Sequence, residues 1–506
     1  MTTTATGRFP GYGEHAPLDL TDLPAAASRA VVSRLLDGTF DAFSDAAARV
    51  GNCAHPIRLV GSSTTVDAAT GEIRSSFSST DAPLGVLLRP CGNRRADVCP
   101  ACSRVYARDT FEVIRTGVLG GKTVPDTVSR SPLVFATLTA PSFGHVHGLR
   151  DKGAGRCRPG QRGVCEHGRP RSCHTIHPAG DPQLSAPLCW DCYDWTTAVV
   201  WQFHAPELWR RFTIALRRRL ADRLDVPESR LKHHASVQFA KVAEFQARGL
   251  VHFHALIRVD GPDGPGSTAP VDGIDLADLV RQAAPAVECT APPVDRDDVT
   301  RVLRFGAQLD VRTVRTGLAS VDDSQALHPD QVAAYLAKYA TKSTSTDPSS
   351  PSPHLARLDR ECRYLAARAA TACRPDGVEP DEYTDGCACG HCIDGPYRLL
   401  AKWAHMLGFR GHFATKSRRY SVTLGKLRRA RARFQRLRED ADRDGRTLDT
   451  ADLETRLLAD DDETTLVIGS WTYQGSGWLN PGDKTLADAA AARAREYAQW
   501  RATQRA

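Results

Sequence analysis

Apolar residues recur along this chain with two periods, and the period separates strands from helices. The run LVFATLTA at 133–140 is short, apolar and β-branched, and it predicts a strand. Residues 236–259 read as two strands joined by a tight turn at Ala247, Arg248 and Gly249. Across 196–225, Trp, Phe, Leu and Ile are spaced to bury one face of a long helix. Shorter helices are predicted near 25–38, 274–284 and 330–342, the last with Asp330 as a candidate N-cap. A final helix near 485–503 follows the turn-rich GSGWLNPGD. Between these elements lie a polar Gly/Pro-rich stretch dense in Cys and His at 150–195, a Gly/Pro loop at 260–273 and a low-complexity linker at 343–354. No internal repeat is evident.

Length changes this picture, because 506 residues exceed what one core organises, and about two to four units are expected. The pattern divides the chain into a variable N-terminal segment 1–45, a cysteine-bearing module 46–110 and a main domain 130–345 interrupted by a Cys/His module at 155–195. A basic region 355–440 and a tail 441–506 carrying the terminal helix follow. The net charge of +7, supplied mostly by Arg, permits an anionic partner. No apolar run approaches the roughly 18–20 residues that span a bilayer. The opening MTTTATGRFPGYGEHAP has no apolar core of a secretion signal. A cytoplasmic protein without a membrane partner is therefore expected. In that compartment the 15 cysteines read as metal ligands before disulfides.

The segment KVAEFQARGLVHFHALIRVD at 241–260 concentrates candidate chemistry. Residues two apart on a strand share a face, so His252 and His254 point one way and Phe253 the other. A turn at 247–249 sets Glu244 opposite His252, with Cβ atoms about 5 Å apart. Two imidazoles and a carboxylate then converge, a set suited to a divalent ion with open positions, Mn²⁺ or Mg²⁺, rather than a closed structural zinc site. The same pattern also fits two half-exposed strand histidines. In AYLAKYATK, Tyr335, Lys338, Tyr339 and Lys342 fall at i, i+3, i+4 and i+7 and form one helical stripe. A phenol becomes a nucleophile when a neighbouring cation or a polarised phosphate lowers the cost of its anion. The stripe equally fits a helix that buries two tyrosines and snorkels two lysines.

Taken together, LVFATLTAPSFG (133–144), GLVHFHALIR (249–258) and YLAKYATK (335–342) resemble, in this order, the three motifs of rolling-circle replication initiators of the His-hydrophobic-His (HUH) endonuclease superfamily, in the two-tyrosine form. With FRGHFATKSRRYS (409–421) and the N-terminal cysteines, the chain from about 50 to 500 is similar to initiators of actinobacterial plasmids and integrative elements. The resemblance implies an α+β fold. A central antiparallel sheet would carry the His pair on a central strand, with the Thr137–Thr139 strand as its neighbour and the tyrosine helix alongside. It implies that Tyr339 attacks DNA, and that Tyr335 stands where single-tyrosine relatives carry a water-activating carboxylate, as second nucleophile or helper. Lys338 and Lys342 would orient phosphate or metal. The third metal ligand varies across the superfamily, so Glu244 rests on strand pairing. The implied activity is metal-dependent nicking and rejoining of one strand at a double-strand origin. The implied partners are origin DNA, single-stranded at the nick, and host polymerase. A host helicase is expected as well, since no G-x-x-x-x-G-K-[ST] loop is present. A transposase or relaxase would share the chemistry, and a zinc-rich regulator would bind DNA without it.

Cysteine spacing adds structural zinc. Cys91, Cys99 and Cys102 lie in CGNRRADVCPAC, with Cys53 as a fourth thiolate of a zinc-ribbon-like module. Cys165, Cys173, Cys189 and Cys192 form a second expected set, with His167 able to replace one of them and Cys157, His174 and His177 nearby. Cys387, Cys389 and Cys392, with His391 and Cys373, form a weaker third. From Arg410 to Arg438 no acidic residue occurs. Arg410, Lys416, Arg418 and Arg419 are expected to meet phosphates there, with Phe413, Tyr420 and Phe434 placed to stack on unpaired bases. Residues 439–463 are acid-rich and read as surface.

Overall fold

The computed structural model describes residues 25–82, 84–295, 297–317, 331–336, 352–371, 395–459 and 465–503. Its helices are α1 (Ala25–Leu36), α2 (Phe40–Arg49), α3 (Pro100–Leu119), α4 (Trp195–Arg223), α5 (Gly273–Ala283), α6 (Pro353–Thr371), α7 (Leu424–Arg443), α8 (Leu453–Leu458) and α9 (Pro481–Thr503). Its strands are β1 (Ile57–Asp67), β2 (Ile73–Ser78), β3 (Leu87–Arg89), β4 (Leu133–Leu138), β5 (Ser236–Phe245), β6 (Val251–Asp260), β7 (Cys289–Ala291), β8 (Arg301–Leu303), β9 (Leu309–Arg315), β10 (Ala414–Lys416) and β11 (Thr465–Ser476). The chain divides into two compact units, one of residues 1–109 with 456–506 and one of 110–455. Among the described residues no helix is long and apolar enough to cross a membrane.

In the first unit, β11 pairs antiparallel with β1 from Ile57↔Ser476 to Asp67↔Thr465, while β2 and β3 pair with β1 as well. The sequence pattern set 441–506 apart as a tail. The structure instead uses its second half to complete the N-terminal sheet and core. Trp478 and Leu486 pack with Phe43, Cys53 and Cys99, and the Trp478 indole N–H donates to the Cys53 carbonyl at 2.9 Å. Leu466, Val467, Ile468 and Tyr473 all remain exposed, so no buried-face alternation marks this strand in the sequence.

In the second unit, a five-stranded sheet has the order β10-β5-β6-β4-β9 with every neighbouring pair antiparallel. Its mixed α and β composition and antiparallel pairing agree with the expected α+β class. One face packs on α4, where Trp209 meets Phe253 with ring centroids 5.8 Å apart. Helix α4 differs from the one-faced helix expected: Ala198 to Ala205 are buried all round, and only from Leu208 to Ala221 does burial follow one face, while Asp194 caps the helix by accepting from the Thr197 N–H at 2.8 Å. The β5–β6 turn closes through Gly249, whose φ of +75° suits glycine. A Cβ there would lie 2.7–2.9 Å from Leu355, Leu358 and Leu407. Arg248 ties this turn to the end of β4, donating to the Ala140 and Pro141 carbonyls at 2.8 and 2.9 Å. At the far end of β6, the fully buried Arg258 pairs with Asp260 at 2.9 Å and reaches the Gly117 carbonyl at the end of α3.

Lys241 lies on the α4 face of β5, buried, with its ammonium 4.5 Å from the Phe253 ring centre and donating to the His412 carbonyl at 3.2 Å. Burial lowers its pKa from 10.5 to about 7. Between those values the unfolded chain binds a proton that the folded chain does not, so Lys241 makes stability rise with pH from about 7 towards 10.5. Lys241→Met should remove that rise and be more stable than wild type at neutral pH. Urea midpoints measured at pH 7 and pH 9 check this, and parallel shifts in both proteins would refute it.

Candidate active site

The sheet face opposite α4 carries the candidate chemistry. The register pairs Glu244 with His252 and Val242 with His254 on one side of β6, and Thr137 with His254 on the other. Glu244 Oε2 accepts from both imidazoles, at 2.8 Å from His252 Nε2 and 3.0 Å from His254 Nε2. Glu244 and His254 are only 8% and 3% exposed. The three ligand atoms lie within 4.8 Å of one another. Two imidazole nitrogens and a carboxylate oxygen converging at a sheet face fit a divalent ion with open positions. Glu244, His252 and His254 are the residues that would hold such an ion.

Thr137 supplies what the sequence pattern did not reveal. Its hydroxyl lies 3.0 Å from His254 Nδ1. That bond orients the ring and leaves Nε2 for a metal, the arrangement that outer partners of metal-bound histidines commonly provide. Phe135 stacks on the same ring, with centroids 5.7 Å apart and planes 17° apart. Finding Thr137 from sequence would require the β4–β6 register, which no turn specifies.

The residues 331–336 are helical, and Tyr335 stands edge-on to His254 with ring centroids 5.6 Å apart. Tyr335 is 42% exposed. It lines a pocket of about 350 Å³ together with Phe135, Thr137, Gln331 and, from β9, Asp310 and Arg312. Arg312 is a cation beside the site that the sequence did not single out. Tyr339, Lys338 and Lys342 lie outside the described residues, as do Asp330 and the group Cys373, Cys387, Cys389, His391 and Cys392.

The other metal candidates sort differently from their spacing. Cys53, Cys91, Cys99 and Cys102 do converge, with Cys102 Sγ donating to Cys53 Sγ at 3.5 Å and Cys53 Sγ lying 3.8 Å from Cys99 Sγ. The Cys102 hydrogen bond, joined by backbone N–H donors, holds the Cys53 thiol down at about 5 despite burial. Cys165, Cys189 and Cys192 also converge, but Cys173 is not with them. Its place is taken by His167, whose Nδ1 is 3.2 Å from Cys192 Sγ. Cys173 joins His147, Cys157 and His177 instead. C-x-x-C spacing identifies ligand pairs but not which pairs meet. His147 also lies upstream of the expected module boundary at 155. Among the described residues no cysteine is joined in a disulfide.

The basic stretch needs a similar correction. Arg418 and Arg419 are exposed and line a cleft of about 420 Å³ with Arg217 and Lys232. Arg410 is exposed too, its guanidinium 4.2 Å from the Phe203 ring centre. Lys416 instead donates to the carbonyls of Ser417, Arg418 and Ser421, and burial lowers its ammonium to about 8. Phe413 and Tyr420 are core residues, so of the three aromatics expected to stack on bases only Phe434 is exposed. Their buried places follow from β10 joining the sheet edge and from Tyr420 packing beneath the Arg258 guanidinium.

The family model described as RepSA, replication initiator protein of pSAM2, matches residues 39–492. A replication initiator protein of Streptomyces ambofaciens is 39% identical over 482 residues, covering 93% of this chain and 92% of that protein. No solved structure matches. The outer partner gives a direct test of the site. Thr137→Val keeps the strand shape and should weaken Mn²⁺ binding roughly 10–100-fold, measured by isothermal titration. Unchanged affinity would mean that the hydroxyl does not orient His254.

Proposed function

Because this chain belongs to the replication initiator family described for pSAM2, we propose that it starts replication by nicking one strand at the origin of a plasmid or integrative element. A tyrosine hydroxyl attacks the scissile phosphate. The Tyr Oη–P bond forms as the P–O3′ bond breaks, the phenolic proton passes to solvent, and the departing 3′ oxygen takes up a proton. A 5′-phosphotyrosine link and a 3′ hydroxyl result, the latter a primer for host polymerase. The link conserves the phosphodiester bond energy, so attack by a 3′ hydroxyl reseals the strand without ATP.

Tyr339 is the primary nucleophile in this reading, and Tyr335 is the second nucleophile or its helper. Lys338 and Lys342 orient the phosphate. Glu244, His252 and His254 would hold Mg²⁺ or Mn²⁺, which when bound draws charge from the phosphate oxygens. Thr137 keeps His254 in its ligating orientation, and Arg312 offers a cation to a flanking phosphate. The observation that carries the reading is the carboxylate–imidazole triad with the Tyr335 ring set against His254. Arg410, Arg418 and Arg419 grip origin DNA. The Cys53, Cys91, Cys99 and Cys102 cluster holds a structural zinc ion that ties its unit together. The protein acts in the cytoplasm, where a host helicase unwinds the duplex.

A single-stranded origin oligonucleotide with Mn²⁺ or Mg²⁺ tests the chemistry. His252→Ala or His254→Ala should slow cleavage on the order of 10²–10³-fold, the scale for losing one preorganised charge stabiliser. Tyr339→Phe should abolish the covalent adduct that mass spectrometry maps in the wild type. Equal cleavage by wild type and Tyr339→Phe would overturn the assigned nucleophile. For DNA binding, Arg418→Ala with Arg419→Ala should lower the slope of log affinity against log salt by roughly one for each phosphate no longer neutralised. An unchanged slope would place the grip elsewhere.

A further inference from the structure

The segment between β4 and α4 carries ligands in four successive pairs: His147 with Cys157, Cys165 with His167, Cys173 with His177, and Cys189 with Cys192. The first and third pairs meet at one point. His147 Nδ1 lies 3.1 Å from His177 Nε2, Cys157 Sγ lies 4.0 Å from His147 Nδ1, and Cys173 Sγ lies 3.5 Å from His177 Nε2. The second and fourth pairs meet at another, where His167 Nδ1 lies 3.2 Å from Cys192 Sγ. In each group all four ligand atoms lie within 4.8 Å of one another. A tetrahedron of zinc ligands has edges of about 3.3–3.8 Å, set by its metal–nitrogen and metal–sulfur bond lengths. We propose that this insertion is a two-zinc module with crossed ligand pairs, a Cys₂His₂ site on His147, Cys157, Cys173 and His177 and a Cys₃His site on Cys165, His167, Cys189 and Cys192.

Three further observations point to metal. Asp181 Oδ2 accepts from His177 Nδ1 at 2.7 Å, which fixes the tautomer and leaves Nε2 as the ligand atom. Backbone N–H groups are aimed at sulfur, from Gly148 to Cys157 at 3.2 Å and from Arg169 to Cys165 at 3.4 Å, as a thiolate requires. The burial pattern is also the reverse of an apolar core. Cys157, Cys173, His177 and Cys189 are buried, while Leu149, Val164 and Ile176 are exposed. Regular structure here is confined to isolated bridges and a 3-10 turn at Asp151–Gly153. A chain with so little core and so few ladder bonds holds its shape when metal–ligand bonds replace both. Four protein ligands of nitrogen and sulfur close the coordination sphere, which selects zinc. Crossing has its own effect, because the loop closed by one ion contains ligands of the other.

Zinc per chain, measured by plasma mass spectrometry on the full-length protein, is read beside mass-mapped iodoacetamide labelling. Cys173→Ser with His177→Ala should lose zinc relative to wild type and unmask Cys157. Cys189→Ser with Cys192→Ser should lose zinc and unmask Cys165. Continued protection of Cys53, Cys91, Cys99 and Cys102 reports that the rest of the chain stays folded. Cys173→His, which keeps a four-ligand set, should retain the wild-type zinc count. An unchanged zinc count in the two double variants, or a protected Cys157 after loss of Cys173 and His177, would overturn the proposal.

Discussion

The register of the β5–β6 pair is the constraint on which the second unit depends. Side chains alternate along a strand with a period of two, so a slip of one residue sends a whole set to the other face. In the register found, Glu244, His252 and His254 share one face, and Phe253 joins the apolar layer against α4. A slip would place a carboxylate and an imidazole in that layer. The turn prevents it. Gly249 takes a backbone shape that other residues resist, three leucines fill the space beside it, and Arg248 fastens the turn to the end of β4.

Burying polar groups on a central strand costs free energy unless each finds a partner. Here each does. Glu244 receives two imidazole N–H groups, His254 meets Thr137 on its other nitrogen, and Arg258 pairs with Asp260 at the strand's far end. These bonds also hold the candidate ligands on β5 and β6, two strands that each have neighbours on both sides. Sites on such elements keep their geometry better than sites on loops. Tyr335 approaches the same face on a short helical segment whose ring packs on both Phe135 and His254.

Much of this was legible in the sequence because it is local. The three-residue turn and the alternation of 236–259 were enough to set Glu244 opposite His252. The β4 run and the second half of α4 were readable for the same reason, whereas the first half of α4 is buried all round by packing that its spacing does not show. What was not legible depends on chain segments that meet from far apart. Thr137 reaches His254 across 117 residues, a pairing that no local pattern encodes. Cys173 and His167 exchange places, an alternative that the spacing left open because it cannot say which ligand pairs cross. Phe413 and Tyr420 look like a base-stacking surface among arginines, yet β10 and the Arg258 guanidinium take them into the core. Of the tyrosine stripe, Tyr335 lies among the described residues, and its ring stands against His254.

The pairing of β11 with β1 bears on how the protein is made. Synthesis runs from the N-terminus, and domains generally fold as units while the chain emerges. The second unit is one continuous stretch, 110–455, and is complete before Thr465 leaves the ribosome. The first unit is built from segments on both sides of that stretch. Until 465–491 arrive, β1 has an open edge and the pocket around Cys53 lacks Trp478, Leu486 and Ala491. A ribosome that stops short of those residues therefore releases a chain with a whole second unit and an unfinished first one. An unpaired strand edge is a template for aggregation. The N-terminal sheet and the core around Cys53 therefore close only once β11 and α9 have been made.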